Sequence, residues 1–106
     1  MTLATVQVGA IGVKIVVTVE EGGVAKNIAA ATHLKLRLRS AIGKTYKDFT
    51  AVFDSTGVDG KVSYTTTLVS DIDLESVWSA QVYYEMGSFK GFTEPVEAFI
   101  ARRNLD

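Results

Sequence analysis

His33-Leu34-Lys35-Leu36-Arg37-Leu38-Arg39 is the stretch of sequence that decides the fold. Its three leucines occupy alternate positions, so in an extended chain they share one face, and the four basic or titratable residues share the other. This pattern is typical of an antiparallel sheet that covers a core on one side and meets water on the other. The stretch therefore predicts a half-buried β-strand.

Segments of the same kind lie on both sides of this stretch, separated by glycine-containing turns such as Asp59-Gly60. They combine period-2 alternation with β-branched and aromatic residues, which favours strands. Pro95 interrupts the last segment and indicates an edge or a bulge, because proline donates no ladder hydrogen bond. We predict the strands Ala4–Val8, Val13–Val19, His33–Arg39, Tyr46–Phe53, Lys61–Thr67, Val77–Glu85 and Phe89–Ala101, with Val24–Ile28 as a further short extended piece.

The spacing of these segments favours one all-β domain over residues 1–106, an antiparallel sandwich of about seven to eight strands. A small closed barrel is an alternative, because strand spacing does not fix connectivity. We expect residues 68–76 to form an irregular crossing with one helical turn, and residues 1–3 and 102–106 to be flexible ends. The predicted inward-facing residues include Phe49, Phe53, Val62, Tyr64, Trp78, Ala80, Val82 and Tyr84.

Charge and cysteine content exclude several classes of function. Eleven Lys and Arg residues against twelve Asp and Glu residues give a net charge of −1, so no overall field attracts nucleic acid or an anionic membrane. The absence of cysteine excludes disulfides and thiolate metal sites. The apolar stretch Thr2–Val19 has no basic segment before it and is interrupted by Lys14, so we predict no export signal. We expect a complete small gene product that begins at Met1.

The residue inventory does not indicate an enzyme or a cofactor. His33 is the only histidine, and its place on the polar face between basic neighbours predicts an exposed surface side chain. No nucleophile elbow accompanies it. The glycines of Gly9-Ala10-Ile11-Gly12 lack the spacing of a phosphate-binding loop. Asp71, Asp73 and Glu75 form a dense carboxylate cluster that could bind Ca²⁺, but without an EF-hand pattern a structural loop is favoured.

Two groups of side chains are candidates for an interface. Exposed aromatic residues anchor many protein interfaces, and they also stack on sugars; the candidates of this kind are Tyr83, Phe89 and Phe92. Lys35, Arg37 and Arg39 form a basic row on one strand, which could meet an acidic partner. Charged residues along a strand also prevent edge-to-edge aggregation, so a solvated face is the alternative.

Several motifs together carry a resemblance to a known family. The chain resembles small Ig-like domains of tailed-bacteriophage particles, related to capsid-decoration proteins and to the N-terminal domain of baseplate upper proteins. The segments that carry this resemblance are Gly9–Val17, Leu34–Gly43, Asp59–Tyr64, Trp78–Gln81 and Thr93–Pro95. Glu75-Ser76-Val77 departs from the family pattern, which has a glycine shortly before the tryptophan. The matching residues are core and turn residues, so they carry over no binding residues.

The resemblance implies an immunoglobulin-like fold and a structural role in the virion. The expected role is capsid decoration, with the major capsid protein as the first partner and baseplate or tail proteins as the second, and with a possible homo-oligomer on the particle. Residues 1–8 and 98–106 are candidate arms that reach a neighbour's sheet edge. The alternatives are a baseplate or tail adaptor and a carbohydrate- or surface-binding module that uses Tyr83, Phe89 and Phe92.

Overall fold

The computed structural model describes residues 4–43 and 46–103, and these residues are all-β. No helix among them is long and apolar enough to cross a lipid bilayer. The strands, numbered in chain order, are β1 (Ala4–Gln7), β2 (Lys14–Thr18), β3 (Glu20–Glu21), β4 (Val24–Ala25), β5 (His33–Ser40), β6 (Tyr46–Thr50), β7 (Val52–Phe53), β8 (Lys61–Thr65), β9 (Ser76–Met86), β10 (Phe89–Phe92) and β11 (Val96–Arg102).

The strands form a sandwich-like arrangement of two main sheets. The larger sheet has the order β1-β11-β9-β5-β6, with β10 also paired to β9, and the smaller sheet has the order β2-β8-β7. A short β3-β4 ladder lies apart from both. Paired strands are antiparallel except β1 and β11, which are parallel. The all-β, sandwich-like prediction is confirmed, whereas the immunoglobulin-like connectivity stays a prediction.

The stretch His33–Arg39 lies in β5, an inner strand that pairs with β6 on one side and with β9 on the other. Leu36 and Leu38 are fully buried, while Lys35 and Arg39 on the opposite face are exposed. Burying a leucine side chain contributes about 2 kcal/mol to the stability of the fold. The alternating leucines therefore determine which face of β5 packs against the core.

The core lies between the two sheets. Trp78 of β9 is buried, its ring lies 5.9 Å from that of Phe99, and its Nε1–H donates to the carbonyl of Leu74 at 3.1 Å. Phe49 and Tyr64 stack with their ring centroids 4.4 Å apart and join the two sheets. All the predicted inward-facing residues pack in this core or against it. The buried set is Ile15, Val17, Val19, Ile28, Leu36, Leu38, Ala51, Val62, Ile72, Trp78, Ala80, Val82, Tyr84, Phe99 and Ala101.

Two predicted strands are each divided in the structure. The segment Tyr46–Phe53 leaves the larger sheet after Thr50 and joins the smaller sheet at Val52, with the buried Ala51 between them. The alternation of side chains continues through this switch, so the sequence pattern does not reveal it. The predicted strand Phe89–Ala101 is divided at residues 93–95, because Pro95 has no N–H to donate to a ladder. A shift in the pairing with β9 follows between Glu97 and Phe99.

The Asp59-Gly60 turn packs tightly against the β3-β4 region. Gly60 has φ = 74°, a conformation that side chains rarely adopt. A Cβ atom at this position would lie 2.7 Å from the carbonyl oxygens of both Val19 and Lys26. The turn therefore requires glycine for its conformation and for its surroundings.

The predicted extended piece Val24–Ile28 contains the two-residue strand β4. Two other predictions were wrong. Residues 68–75 form the predicted irregular crossing but contain no helical turn: Asp71 N–H donates to the carbonyl of Leu68 in a β-turn, and β9 begins at Ser76. The proposed arms are not free over their described residues, since Ala4–Gln7 pairs with β11 of the same chain. Strand β11 runs through Arg102, one residue into the predicted flexible end; residues 1–3 and 104–106 lie outside the described residues.

Candidate interaction surface

The outer face of the larger sheet brings most of the predicted interface residues together. In the sheet register, Arg37 of β5 lies between Asp48 of β6 and Gln81 of β9. The next row places Lys35 beside Tyr83, and Tyr83 faces Phe92 of β10. Because alternate residues of neighbouring strands share a face, this side of the sheet carries a mixed basic and aromatic surface.

Arg37 is the centre of this surface. Its Nε and Nη2 donate to the two carboxylate oxygens of Asp48 at 2.7 and 3.0 Å. Its guanidinium carbon also lies 3.7 Å from the ring centroid of Tyr46 and 4.2 Å from that of Phe92. A planar guanidinium suits both a bidentate carboxylate contact and aromatic stacking. We call these four residues the Arg37 cluster.

The ion pair in the Arg37 cluster changes the protonation equilibria of both partners. The hydrogen bond from Arg37 lowers the pKa of Asp48 below its ordinary value, and the attraction of Arg37 and Lys35 adds to this effect. The hydrogen bond to Asp48 in turn raises the pKa of Arg37. Both groups therefore stay charged at neutral pH, and each compensates the other.

Tyr83 extends the surface towards the other end of β9. Its ring centroid lies 5.1 Å from that of Phe92, and the ammonium of Lys35 lies 5.7 Å from its ring. The Tyr83 hydroxyl donates to Glu85 at 2.8 Å, a bond that raises the pKa of Tyr83 and lowers that of Glu85. The aromatic side chains of this face are thus held in place by charged neighbours.

Phe89 does not belong to this surface. It precedes Phe92 by three residues on β10, so alternation places its side chain on the opposite face of the sheet. There its ring lies 4.8 Å from that of Tyr84 and 5.9 Å from the Lys26 ammonium. The expectation that Tyr83, Phe89 and Phe92 form one stacking platform is therefore wrong, because alternation separates Phe89 from the other two.

Arg39 lies beside the Arg37 cluster and opens onto a groove. The groove has a volume of about 490 Å³ and crosses the sheet between Tyr46 and Pro95, with Arg37, Arg39, Ser79 and Gln81 along it. Among residues 4–43 and 46–103, no carboxylate lies within 4.0 Å of Arg39. Arg39 therefore differs from Lys35 and Arg37, the other two residues of the basic row, which both lie within 4.0 Å of the Asp48 carboxylate.

A second surface, which the sequence analysis missed, lies on the loops at one end of the sandwich. Residues 8–13, 41–43 and 66–75 lie together there: Gly9 N–H donates to Ile72 O, Gly12 N–H donates to Thr66 O, and Ala41 N–H donates to Oγ of Ser76, the first residue of β9. We call these three loops the apex. It carries five large apolar side chains that are each between 40% and 68% exposed: Ile11, Ile42, Leu68, Val69 and Leu74.

Asp71 holds the apex turn that presents Leu68 and Val69. Its buried Oδ2 accepts from the Tyr64 hydroxyl at 2.8 Å and from the backbone N–H groups of Thr67 and Leu68 at 2.9 and 3.1 Å. Burial alone raises the pKa of Asp71, but these hydrogen bonds outweigh it, and its pKa lies below the ordinary value. The carboxylate thus fixes an exposed apolar turn.

The three acids of the predicted cluster are engaged separately. Asp73 pairs with Lys47 at 3.0 Å, and Glu75 accepts from the backbone N–H of Arg103 at 3.0 Å, while Asp71 holds its turn. The part of the chain that the structure describes contains no group of three or more potential metal ligands. The arrangement agrees with the structural loop that the sequence analysis favoured.

His33 is exposed, as predicted, and lies beside a carboxylate that is distant in sequence. Its Nδ1 is 3.4 Å from Glu85 Oε1 and 3.3 Å from the hydroxyl of Thr32. A catalytic triad instead uses the two ring nitrogens for separate partners, one for the nucleophile and one for the acid. Here both contacts involve one nitrogen, so these three residues do not form a triad.

Comparison with known proteins gives no assignment: no family model matches the chain, and no curated protein matches it significantly.

Proposed function

We propose that this protein is a structural protein of a tailed-bacteriophage particle, most simply a decoration protein that binds the major capsid protein lattice. The observation that carries the proposal is the presence of two separate, preformed contact surfaces on one small domain. One is the Arg37 cluster on the outer sheet face, and the other is the apolar apex. A protein that bridges neighbouring subunits needs at least two such surfaces.

Each surface has a feature that is typical of protein interfaces. Tyr and Arg are enriched among residues that dominate binding energy, and the Arg37 cluster combines an arginine with two aromatic rings. Its side chains are already held by ion pairs and stacking, so little conformational entropy is lost on binding. The apex supplies five exposed aliphatic side chains, and Lys47 contacts it at Asp73 and at the carbonyl of Ser70.

We further propose that the sandwich has immunoglobulin-like connectivity, as the resemblance implies. The order β11-β9-β5-β6 in one sheet and β2-β8-β7 in the other supports this, because it parallels the G-F-C-C′ and B-E-D orders of variable-type immunoglobulin domains. The residues behind the resemblance lie at turns and in the core, with Gly60 in a tight turn, Trp78 buried and Pro95 between strands.

The proposed mechanism is mechanical and thermodynamic. A protein that binds the assembled shell and not free subunits stabilises the shell by mass action. If the two surfaces contact different subunits, each copy opposes the separation of its neighbours. With many symmetric copies, small contributions to the stability of the shell sum to a large one.

The test is the protein content and stability of virus particles. We expect mass spectrometry to detect the protein in purified particles, immunogold to label heads, and deletion of the gene to lower the temperature at which heads release DNA. Double substitution of Leu68 and Val69 by Ser removes two exposed apex side chains and should abolish binding to deletion particles. Val52→Ser, at an equally exposed valine of β7, should bind normally. Absence from purified particles contradicts the proposal, and labelling of tails alone moves the function to a tail adaptor.

The structure gives less support to a carbohydrate-binding module. Arg37 occupies one face of both Tyr46 and Phe92, and Phe89 lies on the other side of the sheet. A flat stack of exposed rings on which a sugar could lie is therefore absent among the described residues of this face.

A further inference from the structure

We propose that the Arg39 groove binds a carboxylate side chain from an acidic, extended segment of a partner protein. This inference deepens the proposed function, on which it rests for the source of the segment, by naming the chemistry of the partner. It starts from the difference between the two arginines of β5. Arg37 is neutralised by Asp48, whereas Arg39 has no carboxylate within 4.0 Å in the described part of the chain.

The groove has the size of a short peptide. It runs across the strands, from Tyr46 on β6 past Arg39 on β5 and Ser79 on β9 to Pro95, which immediately precedes β11. Three inter-strand spacings of about 4.8 Å give roughly 14 Å, the length of about four residues of extended chain. Its volume of about 490 Å³ is within the usual range of ligand sites.

The polar groups of the groove complement a peptide that carries acids. The Arg39 guanidinium offers a planar set of N–H donors that matches a carboxylate. Ser79 contributes a hydroxyl, which donates or accepts. The Nε2 group of Gln81 donates to the carbonyl of Thr93 at 2.9 Å, which leaves the amide oxygen of Gln81 as an acceptor for a peptide N–H.

Charges around the groove favour an acid close to Arg39 and oppose one at the far end. Glu97 of β11 lies opposite Ser79 of β9, which in turn lies opposite Arg39 of β5. Two inter-strand spacings therefore separate the backbones of Glu97 and Arg39, a distance of roughly 10 Å. Because the whole protein carries a net charge of −1, binding of an acidic peptide requires this local cation and does not follow from the overall field.

The experiment is a titration of the ¹⁵N-labelled full chain with a blocked Ala-Glu repeat peptide, followed by amide chemical shifts at low ionic strength. We expect saturable shifts confined to the residues that line the groove, among them Arg39, Ser79 and Gln81. Arg39→Gln should weaken the peptide at least fivefold, whereas Arg102→Gln, at an exposed arginine outside the groove, should leave the affinity unchanged. Glu97→Gln should strengthen it.

Three results overturn the proposal. The first is equal binding of an Ala-Gln repeat peptide, which shows that the carboxylate is not recognised. The second is a spread of shifts over all lysines and arginines, which shows nonspecific attraction. The third is tighter binding of inorganic phosphate at the same residues, which assigns the groove to a phosphate-bearing ligand. The particle experiment does not depend on this titration, so the groove proposal can fail while the proposed function stands.

Discussion

The guanidinium of Arg37 lies 4.2 Å from the ring centroid of Phe92, although β5 and β10 are not neighbouring strands. The contact passes across β9, to which both strands are paired. It therefore ties the β9-β10 hairpin to β5 through side chains as well as through the backbone ladder. The cluster on this face contributes to the stability of the sheet and also presents a surface.

The first prediction separates the role of Arg37 from that of a generic positive charge. Arg37→Lys keeps the charge but loses the bidentate contact with Asp48 and the stacking on two rings, so we expect the free energy of unfolding to fall measurably. Arg39→Lys, the matched control on the same strand, should change it by less than about 0.3 kcal/mol. Urea denaturation measures both, and equal effects would contradict the special role of Arg37.

The second prediction concerns the apex turn. Asp71→Ala removes the acceptor of three hydrogen bonds, and we expect it to lower the free energy of unfolding by about 2–3 kcal/mol. Asp73→Ala removes only an exposed ion pair with Lys47 and should cost less than about 0.5 kcal/mol. Thermal denaturation of both variants tests this, and similar losses would show that Asp71 does not hold the turn.

The third prediction is the pH dependence that Asp71 and Asp48 confer. Both carboxyl groups have a pKa below their ordinary value of 3.8, so folding favours their ionised forms. Their contribution is fully present above the unfolded pKa and is lost as the pH falls through the lower folded values. We expect the melting temperature to fall below about pH 4, and to fall less steeply in a variant with Asp48→Asn and Asp71→Asn. Parallel melting curves would contradict the assignment.

The fourth prediction compares two glycines with positive φ. Gly60→Ala introduces an unfavourable conformation and a Cβ atom 2.7 Å from two carbonyl oxygens, so we expect a loss of about 3 kcal/mol or more. Gly87 has φ = 62° with no atom within 4 Å of an added Cβ. Gly87→Ala should therefore cost only about 1 kcal/mol. Chemical denaturation distinguishes the two, and equal losses would show that the close approach at Gly60 is easily relieved.

The fifth prediction uses the single tryptophan. Trp78 is buried between Phe99 and the carbonyl of Leu74, so native fluorescence should be shifted to the blue of the unfolded chain. Trp78→Phe keeps most of the packing but leaves the Leu74 carbonyl without its donor, at a cost of about 1–2 kcal/mol. Trp78→Ala should cost about 3–5 kcal/mol. Native emission at the wavelength of the unfolded chain would contradict this burial.

Local alternation predicted the elements and the core well. The period-2 pattern of residues 33–39 established which face of β5 is buried, because a strand with one apolar face has only one favourable orientation. The same reasoning placed Trp78 and Val62 inside. It missed the sheet switch at Ala51, since the backbone can change partners without interrupting the alternation of side chains.

The candidate surfaces depended on relationships that sequence spacing does not contain. The sequence indicated the basic row and the exposed aromatic residues separately, but only the register of β6, β5, β9 and β10 brings Tyr46, Arg37 and Phe92 together. The apex was missed because exposed aliphatic residues such as Ile11 and Val69 look like core residues in a hydrophobic pattern. Only the positions of the loops show that nothing covers them among the described residues.

The parallel pairing of β1 with β11 has a mechanical consequence. Ala4 lies opposite Phe99 and Gln7 opposite Arg102, so the chain enters this pair at one end and leaves it at the other. Tension between the first and last strands would act along the strands and load all the hydrogen bonds of the pair in shear at once, where an antiparallel pair pulled from one end would open bond by bond. We therefore expect this domain to resist stretching more strongly than one whose first and last strands pair antiparallel.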